Sequence, residues 1–216
     1  QAGKQSVPFT TGILIGIGET RLERLESLHK IAELHKKYNH VQEVIVQNFK
    51  AKPNTLMTNA VEPSFDELMW TIAMARLILP GDISLQVPPN LNSEYISQLT
   101  LSGINDFGGV SPVTKDYVNP EAPWPEIEKL NQIVLKTNQF LKPRATLYPK
   151  YFADLETFST QEIASKLLQI TDSQSLIRSD QWKSGVSNKV PSYPEAILSS
   201  NIRSLIKDVE LSLIHI

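Results

Sequence analysis

The chain has 216 residues, 21 lysines and arginines against 23 aspartates and glutamates, a formal net charge of -2 and no cysteine. That length allows one domain with a real core, or part of a larger one. The charge balance gives no basic footprint for nucleic acid, and the missing thiols exclude disulfides, thiolate zinc sites and any cysteine-held cluster within these residues. The apolar run from Thr71 to Leu79 is broken by Arg76 and is too short to span a bilayer, and no charged-then-apolar leader precedes residue 10. The expectation is a cytoplasmic protein with neither membrane nor nucleic-acid partners.

The first element lies in TTGILIGIGET, Thr10 to Thr20. Ile13, Leu14, Ile15 and Ile17 form a run too short for a helix and rich in β-branched residues, which predicts a strand at about 11–17 buried on both faces. Gly16 and Gly18 remove side chains where the strand ends, so backbone can approach a ligand or take positive φ. The bland reading, glycines that only permit tight packing, stands beside it. A dinucleotide loop is disfavoured because GIGETR lacks the third glycine of G-x-G-x-x-G, and no G-K-[ST] follows. Thr20 and Glu23 form a capping box, and Leu22, Leu25, Leu28 and Ile31 continue at helical spacing to about His40.

VQEVIVQNF, Val41 to Phe49, predicts a second strand at about 42–48, followed by the polar loop KAKPNT. Ser64 and Glu67 cap a helix whose stripe of Phe65, Leu68, Met69, Ile72 and Leu79 stops at Pro80 and Gly81. Ile83 to Asn90 gives a third strand at about 83–87 ending in two prolines. A short helix from Tyr95 to Leu101 is closed by Gly103, and INDFGGVSP gives a fourth strand at about 104–107. Strands alternating with helices imply a parallel sheet with right-handed crossovers, doubly wound or curled into a barrel. Beyond residue 120 the pattern changes. NPEAPWP is a proline-rich connection, Ile127, Leu130, Val134 and Leu141 lie on one helix, KPRATLYPKY reads as a rigid extended turn, and Ser159 with Glu162 caps a further helix.

The order of these pieces carries a resemblance. TGILIGIGE, Thr11 to Glu19, resembles the G-x-I-x-G-x-x-E element on the fifth strand of radical S-adenosylmethionine enzymes, with Leu14 where the pattern has isoleucine. VQEVIVQNFKAKPNT, INDFGGVSPVT and VNPEAPWP resemble successive motifs of the deazaflavin-forming members, the 7,8-didemethyl-8-hydroxy-5-deazariboflavin synthase family of the subunit 1 type. The likeness runs from about Gly12 to Tyr151, and more loosely through RSDQWKSG at Arg178 to Gly185. It implies the C-terminal half of a radical S-adenosylmethionine TIM-type (β/α) barrel over residues 1–120, with a helical C-terminal extension over 121–216. It also implies a 5′-deoxyadenosyl radical that attacks a tyrosine-ribitylaminouracil adduct, which cyclises with loss of ammonia. Implied with it are S-adenosylmethionine, a 4Fe-4S cluster and, as a protein partner, the second synthase subunit. The cluster's C-x-x-x-C-x-x-C is absent, so its ligands are expected in a missing N-terminal half, and the terminal ELSLIHI resembles nothing in the family.

By the same resemblance Gly12, Leu14, Ile15, Gly16, Gly18, Glu19, Val87 and Pro88 fall on the cofactor side. Gln47, Asn48, Gln86, Asn90, Asn105, Asp106, Gly108, Gly109 and Ser111 fall on the substrate side, at strand exits that a barrel gathers on its active face. Catalytic residues are unassigned and no metal ligand is expected. Each residue has a plainer reading. Glu19 also suits the positive end of a helix, and the structural role is favoured there. Gln47 and Asn48 offer a uracil edge paired donors and acceptors, or cap a loop. Gln86 and Asn90 bracket a proline turn that exposes carbonyls to an amino group, or simply ends a strand. Asp106 holds ribityl hydroxyls, or caps its own turn. Lys52 reads as solvated, and His29, His35 and His40 as surface or helix-end residues. Two alternatives remain: another radical S-adenosylmethionine barrel, such as the partner deazaflavin subunit or a biotin synthase relative, and a non-catalytic ligand-binding module.

Overall fold

Parallel pairing organises the molecule, seen here in a computed structural model that describes residues 1–179. Most of RSDQWKSG, all of ELSLIHI and the last part of the expected helical extension lie outside the described residues. Strand β1 (Phe9–Ile15) pairs with β2 (Val41–Asn48), and β2 with β3 (Ser84–Gln86), all parallel, in the order β1-β2-β3. Helix α1 (Arg21–Tyr38) makes the first crossover and α2 (Phe65–Ile78) the second. Thr20 and Glu23 close the predicted reciprocal capping box, and Asn39 ends α1 in the left-handed conformation. At α2 the box is half made. Ser64 accepts from the Glu67 N–H, while the Glu67 carboxylate turns to Arg21 and Arg24, whose charge outbids a backbone donor.

The register assigns side chains to faces. Ile15, Val44, Val46 and Leu85 point toward α1 and α2 and close a core with Leu28, Leu68, Ile72 and Ala75. Gly12, Ile45, Gln86 and Asp106 form one row on the second face, with Leu14 and Gln47 in the next. The expectation that β1 is buried on both faces therefore fails: Ile15 is 0% exposed and Leu14 42%, because helices cover one face only and β1 lies at the edge of the sheet. The strand ends at Ile15, where Gly16 takes φ 89°.

The fourth expected strand is a single bridge, Gln86 to Asp106. Asn105 N–H donates to the Leu85 carbonyl, but the Leu85 N–H is taken by the Asn105 side-chain oxygen at 2.8 Å, so the backbone ladder goes no further. A 3₁₀ stretch, Asn90–Tyr95, leads into α3 (Ile96–Leu101). Helix α4 (Ile127–Leu135) stops before Leu141, since Asn138 at φ 58° turns the chain; Leu141 still packs on the core. After a 3₁₀ turn (Pro149–Asp154) and the one-turn α5 (Leu155–Phe158), α6 (Gln161–Ile170) is capped by Thr160. Ser159, the expected cap, instead donates to the Leu155 carbonyl.

Gln1–Arg178 make one compact unit. The segment 143–150 runs along the start of β2. A register shift leaves Gln42 without a partner in β1, and its amide holds the Thr146 carbonyl and the Tyr148 N–H. Lys150 reaches the Val41 carbonyl at 2.9 Å and Asp82 at 3.0 Å. Among the described residues no helix is long and apolar enough to cross a membrane.

Candidate functional site

The exit of β1 is a loop that binds its own carboxylate. Glu19 accepts from the Gly16 N–H at 2.7 Å and the Ile17 N–H at 2.8 Å, and from Arg24 Nε at 2.7 Å. Burial opposes its ionisation, but the backbone donors and the guanidinium overcome it and hold the carboxyl at about 2. Arg24, with a side chain 7% exposed, also donates to Glu67 and Thr71, and Arg21 joins Glu67 while lying over Trp70. A four-residue chain of alternating charge thus ties the glycine turn to both helices. Both Glu19 oxygens are engaged within the loop, Oε1 twice and Oε2 once, which agrees with the favoured structural reading.

Two of the glycines are fixed by neighbouring chain. A Cβ on Gly12 would stand 2.4 Å from the Ile45 carbonyl oxygen, and one on Gly16 2.5 Å from Pro63. Gly18 and Gly109 face open space instead. Beside Gly18, Leu14 and Ile17 are half exposed and form an apolar step at the strand end, whereas Ile15 points into the core.

At the other exits the amides divide into occupied and free. The Gln47 side chain hydrogen-bonds no described residue and stands next to Leu14 across the β1–β2 pair. Asn48 accepts from Asn92, whose amide also donates to the Pro88 carbonyl, so the proline turn has already given away the acceptor expected to face an amino group. Val87 is fully buried. Gln86 donates to the Phe107 carbonyl, and Gly108 lies so close that a Cβ would meet the Gln86 amide at 2.6 Å. Asn90 donates to Asp116 and the Ala122 carbonyl. Asn105 accepts from Leu85 and Arg76. Asp106 is clasped by Arg144 at 2.6 and 2.9 Å and accepts the Gly108 N–H at 2.7 Å, the local turn cap anticipated for it plus an ion pair that was not. Ser111 is half-buried, and its backbone carbonyl accepts from Thr114.

Two plainer expectations are corrected. Lys52 is no free surface lysine: it donates to Asn119 and pairs with Glu121, tying the loop after β2 to the loop before α4. His35 is buried, its Nδ1 accepting the Val41 N–H and its Nε2 therefore carrying the proton donated to Asp82. Burial and the nearby Lys150 charge lower its pKa, against the pull of Asp82. Among the described residues no group of three or more histidines, cysteines or carboxylates is placed to hold a metal.

Sequence reasoning passed over Arg24, Glu43, Asn92, Asp116, Asn119, Arg144 and Tyr148. Glu43 alone carried a signal, as a lone acid inside an apolar strand; the others are loop or helix residues whose partners lie far along the chain.

No family model matches the chain. It is 57% identical over 150 residues to the 7,8-didemethyl-8-hydroxy-5-deazariboflavin synthase of Methanopyrus kandleri, covering 69% of this chain and 45% of that protein. To the synthase so named in Methanococcus maripaludis it is 55% identical over 152 residues, 70% of this chain and 43% of the relative. To that of Methanocaldococcus jannaschii it is 49% identical over 169 residues, 78% and 46%. The resemblance drawn from the motifs is borne out, and the chain spans less than half the length of the curated relatives it matches.

Proposed function

We propose that this chain is a segment of a 7,8-didemethyl-8-hydroxy-5-deazariboflavin synthase, an enzyme of deazaflavin coenzyme biosynthesis. The observation that carries the reading is identity of 49–57% to relatives so named, over a stretch of 150–169 residues. The parallel sheet with crossover helices supports assigning residues 1–120 to the C-terminal half of a TIM-type barrel of the radical S-adenosylmethionine type, and 121–216 to its extension. The full enzyme acts as a carbon-nitrogen lyase, closing the deazaflavin ring of a tyrosine-ribitylaminouracil adduct with release of ammonia. The second synthase subunit is the protein partner this assigns.

The 4Fe-4S cluster does not fit these residues. The chain has no cysteine, the residue that would ligate the cluster's irons. S-adenosylmethionine, which supplies the hydrogen-abstracting radical, does fit the exit of β1. Leu14 and Ile17 offer exposed apolar surface on which an adenine can rest, and Gly18 leaves the approach open. Glu19 serves by holding the loop, since both of its oxygens are engaged from within. On the substrate side Gln47 has an amide that bonds no described residue and suits a uracil edge, while Gln86, Asn90, Asn105 and Asp106 shape the surface behind it, Asn90 with a buried Oδ1 unpartnered among the described residues. Anaerobic assay of the enzyme containing this segment, following the deazaflavin chromophore, tests the reading. Cleavage of S-adenosylmethionine without deazaflavin from the adduct would place the chain in another barrel of the superfamily.

A further inference from the structure

The second face of the sheet holds a polar cluster of which the proposed function uses only Asp106, and that as part of the surface behind the substrate. Glu43 in β2 and Asp106 share one guanidinium, Arg144: two contacts to Asp106 at 2.6 and 2.9 Å, one to Glu43 at 3.4 Å. The guanidinium lies 3.8 Å over the Tyr148 ring and gives another N–H to the Ala145 carbonyl. All four side chains are largely enclosed, those of Glu43 and Asp106 7% and 12% exposed.

Charge counting then decides the protonation state. Two buried carboxylates against one cation leave an uncompensated negative charge, and such a site neutralises by taking a proton. Asp106 has the shorter bidentate contacts and the Gly108 N–H, so it is the ionised member. Glu43 faces Thr10 from β1, Tyr148 and Arg144 from the segment after α4, and Asp106 from the neighbouring row; Arg144 is the one cation among them. A separate observation points to the same place. The Tyr148 hydroxyl, on a residue 5% exposed, is enclosed beside Glu43 and interacts with its carboxyl.

We propose that Glu43, Tyr148, Asp106 and Arg144 form a proton-binding site on the second face of the sheet, with Asp106 ionised and the proton resident on Glu43 at neutral pH. Burial and the Asp106 charge raise the Glu43 carboxyl, in agreement. The site rests on the side-chain cluster alone and stands whichever substrate the chain takes. A raised acid gives stability that is full below its unfolded value and is lost as pH rises through the folded one.

Infrared titration of the 216-residue chain tests this directly. The expected result is a protonated-carboxyl stretch at neutral pH that is missing in Glu43→Gln. In Asp106→Asn, where Arg144 turns its whole charge to Glu43, the same stretch should vanish at lower pH than in the parent. Between about pH 5 and 8 the melting temperature of the parent should fall relative to that of Glu43→Gln as pH rises, since the opposite contribution of His35 is common to both. Absence of the stretch from the parent at neutral pH overturns the proposal without any variant. Persistence of the stretch in Glu43→Gln, or its survival to equal pH in Asp106→Asn, overturns the assignment to Glu43.

Discussion

Replacing Glu19 removes the internal anion of the β1 exit. Two backbone N–H donors and Arg24 bond to its carboxylate, and hydrogen bonds to charged groups are worth roughly 1.5–3 kcal/mol each. The cost of losing all three is tempered because Arg24 keeps Glu67 and Thr71, so no bare charge is buried. Glu19→Ala is expected to cost about 3 kcal/mol, and Glu19→Gln, which keeps one acceptor oxygen, about 2 kcal/mol. The carboxyl at about 2, against an ordinary 4.5, gives a linkage contribution of the same sign. Because the folded value is depressed, this contribution is present above pH 4.5 and is lost as pH falls toward 2. Thermal melts at neutral pH should drop by about 4–12 °C across the two variants, at roughly 2–4 °C per kcal/mol for a chain this long. Repeating the melts in acid should make parent and variants converge. Losses below about 0.5 kcal/mol, or a difference unchanged in acid, would refute the idea that Glu19 organises the loop.

Gln47→Leu should leave the melt unaltered, since no described residue bonds its amide, yet weaken uracil-type ligands about ten- to a hundredfold by calorimetry in the full enzyme. Asp106→Ala should cost roughly 3–5 kcal/mol in chemical denaturation, because Arg144 loses its bidentate partner. Gly12→Ala should cost about 1–3 kcal/mol by pushing β1 off the Ile45 carbonyl, while Gly109→Ala, in open space, should stay within about 0.5 kcal/mol. His35, with its pKa lowered by burial and Lys150, resists protonation in the fold, so stability should decline as pH falls below about 6.5; Lys150→Met should weaken that decline, and an identical profile would argue against the coupling.

The strands and the first two helices were legible because their signals are local. β-branched runs, the Thr20–Glu23 box and the Pro80 stop each need only a few adjacent residues. The fourth strand was misjudged for a reason no pattern carries: Asn105 bonds Leu85 through its side chain and ends the ladder. The same limit applies at the site. That Glu19 would be structural followed from its place before a cap, but Arg24 as its holder depends on how a helix packs. Likewise Asp106 was singled out from a glycine-rich turn, while its partner Arg144 lies 38 residues further on in a proline-rich stretch without periodicity. The rigid turn at Val87, Pro88 and Pro89 reads as exposing carbonyls to an amino group, beside the plain reading that prolines end strands; Asn92, four residues after Pro88, takes its carbonyl through a 3₁₀ turn that sequence periodicity does not announce.

A segment exchange tests the central claim most directly. The stretch of the Methanopyrus kandleri synthase that aligns with this chain, 150 residues at 57% identity, is replaced by the corresponding residues here, leaving the rest of that enzyme intact. Anaerobic turnover with S-adenosylmethionine and the tyrosine-ribitylaminouracil adduct should then yield the deazaflavin. A folded hybrid that forms 5′-deoxyadenosine but no deazaflavin would contradict the account.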